Sequence, residues 1–199
     1  MTYLLVFLFA YLLGSIPCGY LVGRWFKGLD IRKHGSGNIG TTNAFRILGP
    51  GPGALVLLGD VLKGLIAVLV AEYFTSETVA LFAGLVAIAG HSWPIYLGFK
   101  GGRGVATGAG VILALSPLGV LLLLLIWVLT ILITRYVSVG SILAAAAAPF
   151  VLGFVEQSWL LAFFGLLAGA GVIYRHKANI ERLKRGTEPK VGGGYSTRW

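Results

Sequence analysis

VATGAGVILALSPLGVLLLLLIWVLTILIT, residues 105–134, runs for thirty residues without a charged side chain. No soluble core needs such a run, whereas about 20 apolar residues match the hydrocarbon thickness of a bilayer. How many spans the chain has turns on Ser116-Pro117-Leu118-Gly119. Read as a turn, it divides the run into spans near 105–116 and 118–134; read as a kink, it leaves one long helix. The first of the two segments is short for a full crossing unless part of it is embedded in protein.

Working outward, further apolar runs lie near 3–23, 52–71, 79–98, 138–155 and 158–174, in a chain of 199 residues that is 57% hydrophobic and 12% charged. The first run has no positively charged segment before it and is interrupted by Gly14, Pro17 and Gly19, so it reads as a retained helix and not a cleaved signal. Cys18, the single cysteine, sits inside that run, which leaves neither a disulfide framework nor a thiolate metal site and suits small-residue packing.

The net charge of +9 could suggest nucleic acid, but the positions of the cations point to a membrane instead. With seven spans and the N-terminus outside, every Lys and Arg except Lys63 falls on inner segments, while Glu72, Glu77 and Glu156 fall on outer turns. Six spans would put Arg135 and Arg175 on opposite sides. The expected fold is therefore an all-α integral membrane protein, a polytopic bundle of seven transmembrane helices with a cytoplasmic C-terminus. It is expected to form one domain over 1–199, with 175–199 a basic cytoplasmic helix and a flexible end.

Each inner connection carries a polar cluster. In Gly35-Ser36-Gly37-Asn38-Ile39-Gly40-Thr41-Thr42-Asn43-Ala44-Phe45-Arg46, three glycines allow close backbone approach, two asparagines and three hydroxyls offer neutral hydrogen bonds, and Arg46 adds a fixed cation. Together they suit an anion, a phosphate above all. Next come His91 and Ser92 at the end of the third span, where polar groups mark function by default, followed by Lys100-Gly101-Gly102-Arg103-Gly104 leading into a helix N-terminus. Trp93 and Tyr96 read as interfacial anchors. The last cluster, from Tyr174 to Lys190, is expected to extend the final span by a few turns and to end by Gly186, with His176 and Asn179 on one face at i, i+3. A solvated positive-inside loop and a basic helix against anionic headgroups are the plain readings of the second and third clusters.

Asp60 and Lys63 lie at i, i+3 within the second span, where they can neutralise each other or face a polar cavity. Such a pair would also serve a transporter or channel for a phosphorylated metabolite, the competing function, although one pair is sparse for a pathway. His34, His91 and His176 stand on separate segments with no carboxylate at ligand spacing, so no metal or other cofactor is expected. His176 and Glu181 form an H-x4-E string whose members fall on different helix faces, and no G-x-S-x-G is present.

At these residues the chain resembles the bacterial acyl-phosphate-dependent glycerol-3-phosphate acyltransferases, the PlsY family. The stretches that carry the resemblance are Gly14-Ser15-Ile16-Pro17, Gly35 to Asn43 with Arg46, Asp60 with Lys63-Gly64, Gly90-His91 through Lys100 to Thr107, and Arg175-His176 through Gly186-Thr187-Glu188. The resemblance implies transfer of a fatty acyl group from acyl phosphate to glycerol 3-phosphate at the cytoplasmic face of a bacterial inner membrane. The products would be 1-acyl-glycerol 3-phosphate and phosphate. It implies lipid as surroundings and a soluble acyl-phosphate-producing enzyme as a candidate partner. Ser36, Arg46, Lys100 and His91 are then the expected catalytic residues. Gly37, Asn38, Ile39, Gly40, Thr41, Thr42, Asn43, Ser92, Gly101, Gly102, Arg103, His176 and Asn179 are expected to bind substrate. Because the acyl phosphate is already activated, positioning and charge stabilisation suffice without an acyl-enzyme. No histidine shows an orienting carboxylate in the sequence, so the donor phosphate is the favoured proton acceptor.

Overall fold

Proline and glycine set the breaks between helices, and aliphatic residues fill everything between them. The computed structural model describes residues 1–192; the expected flexible end lies almost wholly outside the described residues. The helices are α1 (Thr2–Ser15), α2 (Cys18–Lys27), α3 (Thr41–Leu48), α4 (Pro50–Phe74), α5 (Glu77–Ser92), α6 (Val105–Leu115), α7 (Pro117–Thr134), α8 (Val137–Val155), α9 (Trp159–Arg175) and α10 (Lys177–Lys184), with short 3-10 turns at Ile31–Lys33 and Ile95–Leu97. No strand occurs among the described residues.

Five helical segments among them are long and apolar enough to cross a membrane: Thr2–Lys27, Pro50–Phe74, Glu77–Leu97, Pro117–Thr134 and Val137–Val155. The pair Trp159–Arg175 and Lys177–Lys184, bent by 55°, makes a sixth candidate, and Val105–Leu115 is a shorter apolar helix. The break at Ser116 is real: its φ of −155° and ψ of 83° leave helical space, and Pro117 starts α7 as its first residue. One expectation is corrected at the C-terminus. The last span is not simply extended; the chain turns at His176 before α10 forms, and Gly186 then stops it at φ +68°.

The chain divides into two units, Met1–Pro117 and a second that begins at Leu118. In the first, helices meet through glycine. A Cβ on Gly14 would collide with the Ala87 backbone, one on Gly64 with the Thr107 carbonyl, and one on Gly110 with the Val61 carbonyl. These contacts bring α1 onto α5 and α4 onto α6 at backbone distance. Close van der Waals approach of this kind replaces the hydrophobic drive that lipid cannot supply. The Cys18 sulfur packs likewise over Gly59.

In the second unit α8 and α9 use the same device around a proline. Pro149 sits inside α8 and has no N–H, so the Ala145 carbonyl loses its helical donor. Gly169 of α9 presses its backbone against that carbonyl, and Gly165 lies against Ala148 and Pro149. Trp127 of α7 donates its indole N–H to Ser141 Oγ of α8 at 3.2 Å.

Gly110→Val should therefore force α4 and α6 apart and cost about 1–3 kcal/mol, the usual range for overpacking. Gly171 has nothing within 4 Å of where a Cβ would stand, so Gly171→Ala should leave the melting temperature unchanged or raise it. Thermal unfolding of both variants in detergent compares them directly; equal melting temperatures would contradict the close-contact account.

Candidate functional site

The 35–46 stretch hangs on its own asparagines. Asn43 is buried: its Oδ1 accepts from Ser36 N at 3.0 Å, and its amide nitrogen donates to the carbonyls of Ile31, His34 and Asn38 at 3.3, 3.1 and 2.9 Å. Asn38 Oδ1 accepts from Gly40 N at 2.7 Å, and Gly37 N donates to the His34 carbonyl at 3.0 Å. Ile39 is buried with Ile31, Ala44, Leu48 and Val56, beneath the Gly19 backbone of α2. Glycine is required at Gly35 and Gly37, whose φ values are +60° and +69°. Ahead of the stretch, Asp30 and Arg32 pair at 2.7 Å while Arg32 lies over the Tyr20 ring, 4.9 Å from its centroid. Hydrogen bonds from Arg32 hold the Asp30 carboxyl at about 2, below the usual carboxylate range.

This geometry gives several of the expected ligands a role within the loop. Asn43, Asn38 and Ile39 shape the loop, and the amides of Gly37 and Gly40 are already engaged. What still faces outward is the half-buried Ser36 and the first turn of α3. There the amides of Thr41 and Thr42 have no intrahelical acceptor, and Thr42 shares a face with Arg46 one turn on.

The second cluster is folded back on the end of α5. Gly98 and Phe99 both take left-handed backbone, at φ +60° and +63°, with Phe99 N donating to the Pro94 carbonyl at 2.9 Å. A bulky residue in that region is costly, so the turn is held in place by its surroundings. Gly102 N donates to the His91 carbonyl at 3.0 Å, and a side chain at Gly102 would strike the His91 ring. Gly101 packs as closely on the His91 carbonyl and on Pro94. Lys100 is exposed and Arg103 half-buried; Gly104, at φ +83°, caps α6, whose N-terminus follows directly. Cations on glycine-rich backbone at a helix N-terminus are a combination suited to an anion.

His91 and Ser92 are themselves buried, so neither is displayed as the sequence suggests. The orienting carboxylate that spacing could not reveal is Asp60. Its Oδ1 lies 2.8 Å from Lys63 Nζ and 3.5 Å from His91 Nδ1, and Lys63 Nζ also donates to the Ile16 carbonyl at 2.9 Å. Exposure is 1% for Asp60, 4% for Lys63 and 3% for His91. The α4 pair expected at i, i+3 thus exists and reaches two further elements.

In the second unit His176 occupies the bend between α9 and α10, its Nδ1–H donating to the Val172 carbonyl at 2.8 Å. That bond leaves Nε2 as the non-protonated nitrogen of the neutral ring. Asn179 is buried one turn on. Its amide nitrogen donates to Glu188 Oε1 at 2.7 Å, and Arg182 Nε donates to Glu188 Oε2 at 2.7 Å. Asn179 Oδ1 is buried without a hydrogen-bond partner. A buried polar atom left open in this way is suited to a hydroxyl or amide from outside the chain. Glu188 is absent from the residues expected to form the site, although it closes the Gly186-Thr187-Glu188 stretch that carries part of the resemblance. Burial pushes its carboxyl up, but the bonds from Asn179, Ser138 and Arg182 outweigh that and hold it below the ordinary value.

Comparison with known proteins agrees with these features. Residues 4–186 match the family model described as glycerol-3-phosphate acyltransferase. The chain is 47% identical over 192 residues to a glycerol-3-phosphate acyltransferase of Desulforamulus reducens, covering 96% of each chain, and 49% identical over 190 residues to glycerol-3-phosphate acyltransferase 2 of Moorella thermoacetica, covering 96% of this chain and 98% of that one. It superposes on crystal structures of PlsY (YgiH), an integral membrane glycerol 3-phosphate acyltransferase. For the glycerol 3-phosphate form the TM-score is 0.90, at 42% identity and 96% coverage of each chain; for the lysophosphatidic acid form it is 0.88.

Because the folded-state Glu188 carboxyl titrates below its unfolded counterpart, its contribution is present above the ordinary glutamate value of about 4.3 and is lost as pH falls through the lower folded value. Melting temperature measured from pH 7 to pH 3 should fall on the acid side in the native protein and fall less in Glu188→Gln. Parallel curves would mean that the Asn179–Glu188–Arg182 cluster carries no such linkage.

Proposed function

The chain belongs to the glycerol-3-phosphate acyltransferase family, and from that premise we propose that its acyl donor is an acyl phosphate and its product 1-acyl-glycerol 3-phosphate. It is an integral membrane enzyme that acylates glycerol 3-phosphate in phospholipid synthesis. One observation supports the finer reading most: two anion-suited backbone sites, at the first turn of α3 and the N-terminus of α6, each carry cations. Two phosphate-bearing substrates need such sites, and an already activated donor needs no acyl-enzyme.

In this reading the Thr41 and Thr42 amides, Ser36 and Arg46 hold the donor phosphate. Lys100 stabilises the oxyanion that develops at the acyl carbonyl and the phosphate that leaves; Arg103 takes the phosphate of the acceptor. In the second unit His176 and Asn179 are assigned to substrate hydroxyls, as the resemblance implies, and the open Asn179 Oδ1 there suits a hydroxyl donor. The 1-hydroxyl oxygen attacks the acyl carbon, the carbon–oxygen bond of the anhydride breaks, and the hydroxyl proton passes to the donor phosphate, whose second pKa is about 6 in ester analogues. His91 is an unsuitable base in spite of Asp60, because its ring is buried behind Gly102. Seven spans, an outside N-terminus and a site at the cytoplasmic face of the bacterial inner membrane complete the proposal, with the short α6 as one of the spans. The Asp60–Lys63 pair, which by itself would also serve transport, is closed on itself and on neighbouring elements, which favours the enzyme.

Purified protein given long-chain acyl phosphate and glycerol 3-phosphate should release phosphate and form lysophosphatidate in equal amounts. Arg46→Ala and Lys100→Ala should each lower kcat/KM by about 100-fold or more, the scale of losing a charge-stabilising donor. Product from acyl-CoA but none from acyl phosphate would overturn the donor assignment.

A further inference from the structure

Asp60 is the one carboxylate among the buried acidic side chains of the first unit that lies inside an apolar span, and it faces two elements that each lead to a proposed phosphate loop. On one side is Lys63, which carries the link to the Ile16 carbonyl at 2.9 Å. Pro17 ends α1 there, and the Ile16 carbonyl, which accepts from Cys18 N at 3.1 Å across the break, takes Lys63 as its second donor. The helix that restarts at Cys18 is at once committed to the 35–46 stretch: Gly19 touches the Ile39 backbone with no room for a side chain, and Tyr20 lies under Arg32. On the other side is His91, 3.5 Å from the same Asp60 oxygen, with its ring against Gly102 and its carbonyl bonded to Gly102 N.

We propose that Asp60, through Lys63 and His91, is a positioning residue that sets the α3 first turn and the Lys100–Arg103 turn for their two phosphates. Asp60 touches neither substrate in this assignment, and His91 acts through the turn it supports instead of by proton transfer. The inference rests on the reading of these two turns as phosphate sites. A charge pair sealed in a helix bundle is a poor source of net stability, because desolvation offsets much of the attraction. A positioning role explains its presence better than stability does, since a fixed cation and a fixed imidazole hold two irregular turns in defined places.

The test compares His91→Ala, His91→Asn and the charge-balanced double variant Asp60→Asn/Lys63→Met with the native protein, in the phosphate-release assay on acyl phosphate and glycerol 3-phosphate. His91→Asn keeps an N–H donor where Nδ1 stands. It should stay within about threefold of native kcat/KM, whereas His91→Ala should fall about 10- to 100-fold, the range for losing an orienting partner, with measurable turnover left. The loss in His91→Ala should appear both in KM for glycerol 3-phosphate, through Arg103, and in kcat, through Lys100, while the double variant, which unties both turns, should raise KM for both substrates. His91→Asn as inactive as His91→Ala in folded protein, or a loss confined to kcat, would make His91 a reacting group and overturn the proposal. So would a folded double variant with native KM values. If the double variant does not fold, the two His91 variants still decide. No product from native protein with acyl phosphate would sink the donor reading itself, a result distinct from active native protein with silent variants.

Discussion

A backbone carbonyl within a bilayer must find a donor inside the protein, and much of this structure follows from where that requirement is hardest to meet. Regular helices satisfy it by themselves. Pro17 and Pro149 do not allow it, and each break is answered from a neighbouring helix. The Ile16 carbonyl, which accepts from Cys18 N across the break, gains Lys63 Nζ as a second donor, and the Ala145 carbonyl is shielded by the close Gly169 backbone without receiving an N–H from it. The first answer brings a charge into an apolar span, which then needs Asp60 beside it, and Asp60 in turn lies within reach of His91. One irregularity in the first span is thereby connected to the end of α5.

Glycine has two distinct uses here. Within the helices, Gly14, Gly64, Gly110 and Gly169 let backbones touch, which gives the packing its specificity when lipid and side chains are equally apolar. In the connections, Gly35, Gly37 and Gly104 take left-handed backbone angles that favour glycine, and Gly101 and Gly102 lie close on the end of α5. The loops are rigid for this reason. Asn43 fastens four backbone groups of one loop, and Gly101 with Gly102 fastens the other, so cations such as Lys100 and Arg46 stand on backbone that does not have to be ordered when an anion arrives.

Some of this was legible in the linear chain and some was not, for identifiable reasons. Pro17 and Pro117 announced their breaks because proline acts on its own helix, and the Asp60–Lys63 pair announced itself because i, i+3 residues are neighbours on any helix. Arg46 and Lys100 were legible as cations on glycine-rich backbone at helix starts. That Asn43 fastens its own loop was not legible, because an amide looks the same whether it faces a substrate or its own backbone. Glu188 went unnoticed as a partner of Asn179 because nine residues and a helix end separate them. The bend at His176 was missed for a similar reason, since residues 174–185 favour helix throughout and nothing in them marks a change of direction.

By itself the sequence determined the class of the protein. The number and length of its apolar runs demand an all-helical membrane structure, and the order of its glycine-rich and basic stretches carries the family resemblance that comparison bears out. Both are properties read along the chain, set by hydrophobicity and local backbone preference. Only the tertiary structure decided which polar groups meet: Asp60 with His91 across 31 positions, Gly102 over the His91 ring, and Asn179 with Glu188. Those pairings are set by which helices approach within a few ångströms, and that depends on packing between elements, which no local pattern records.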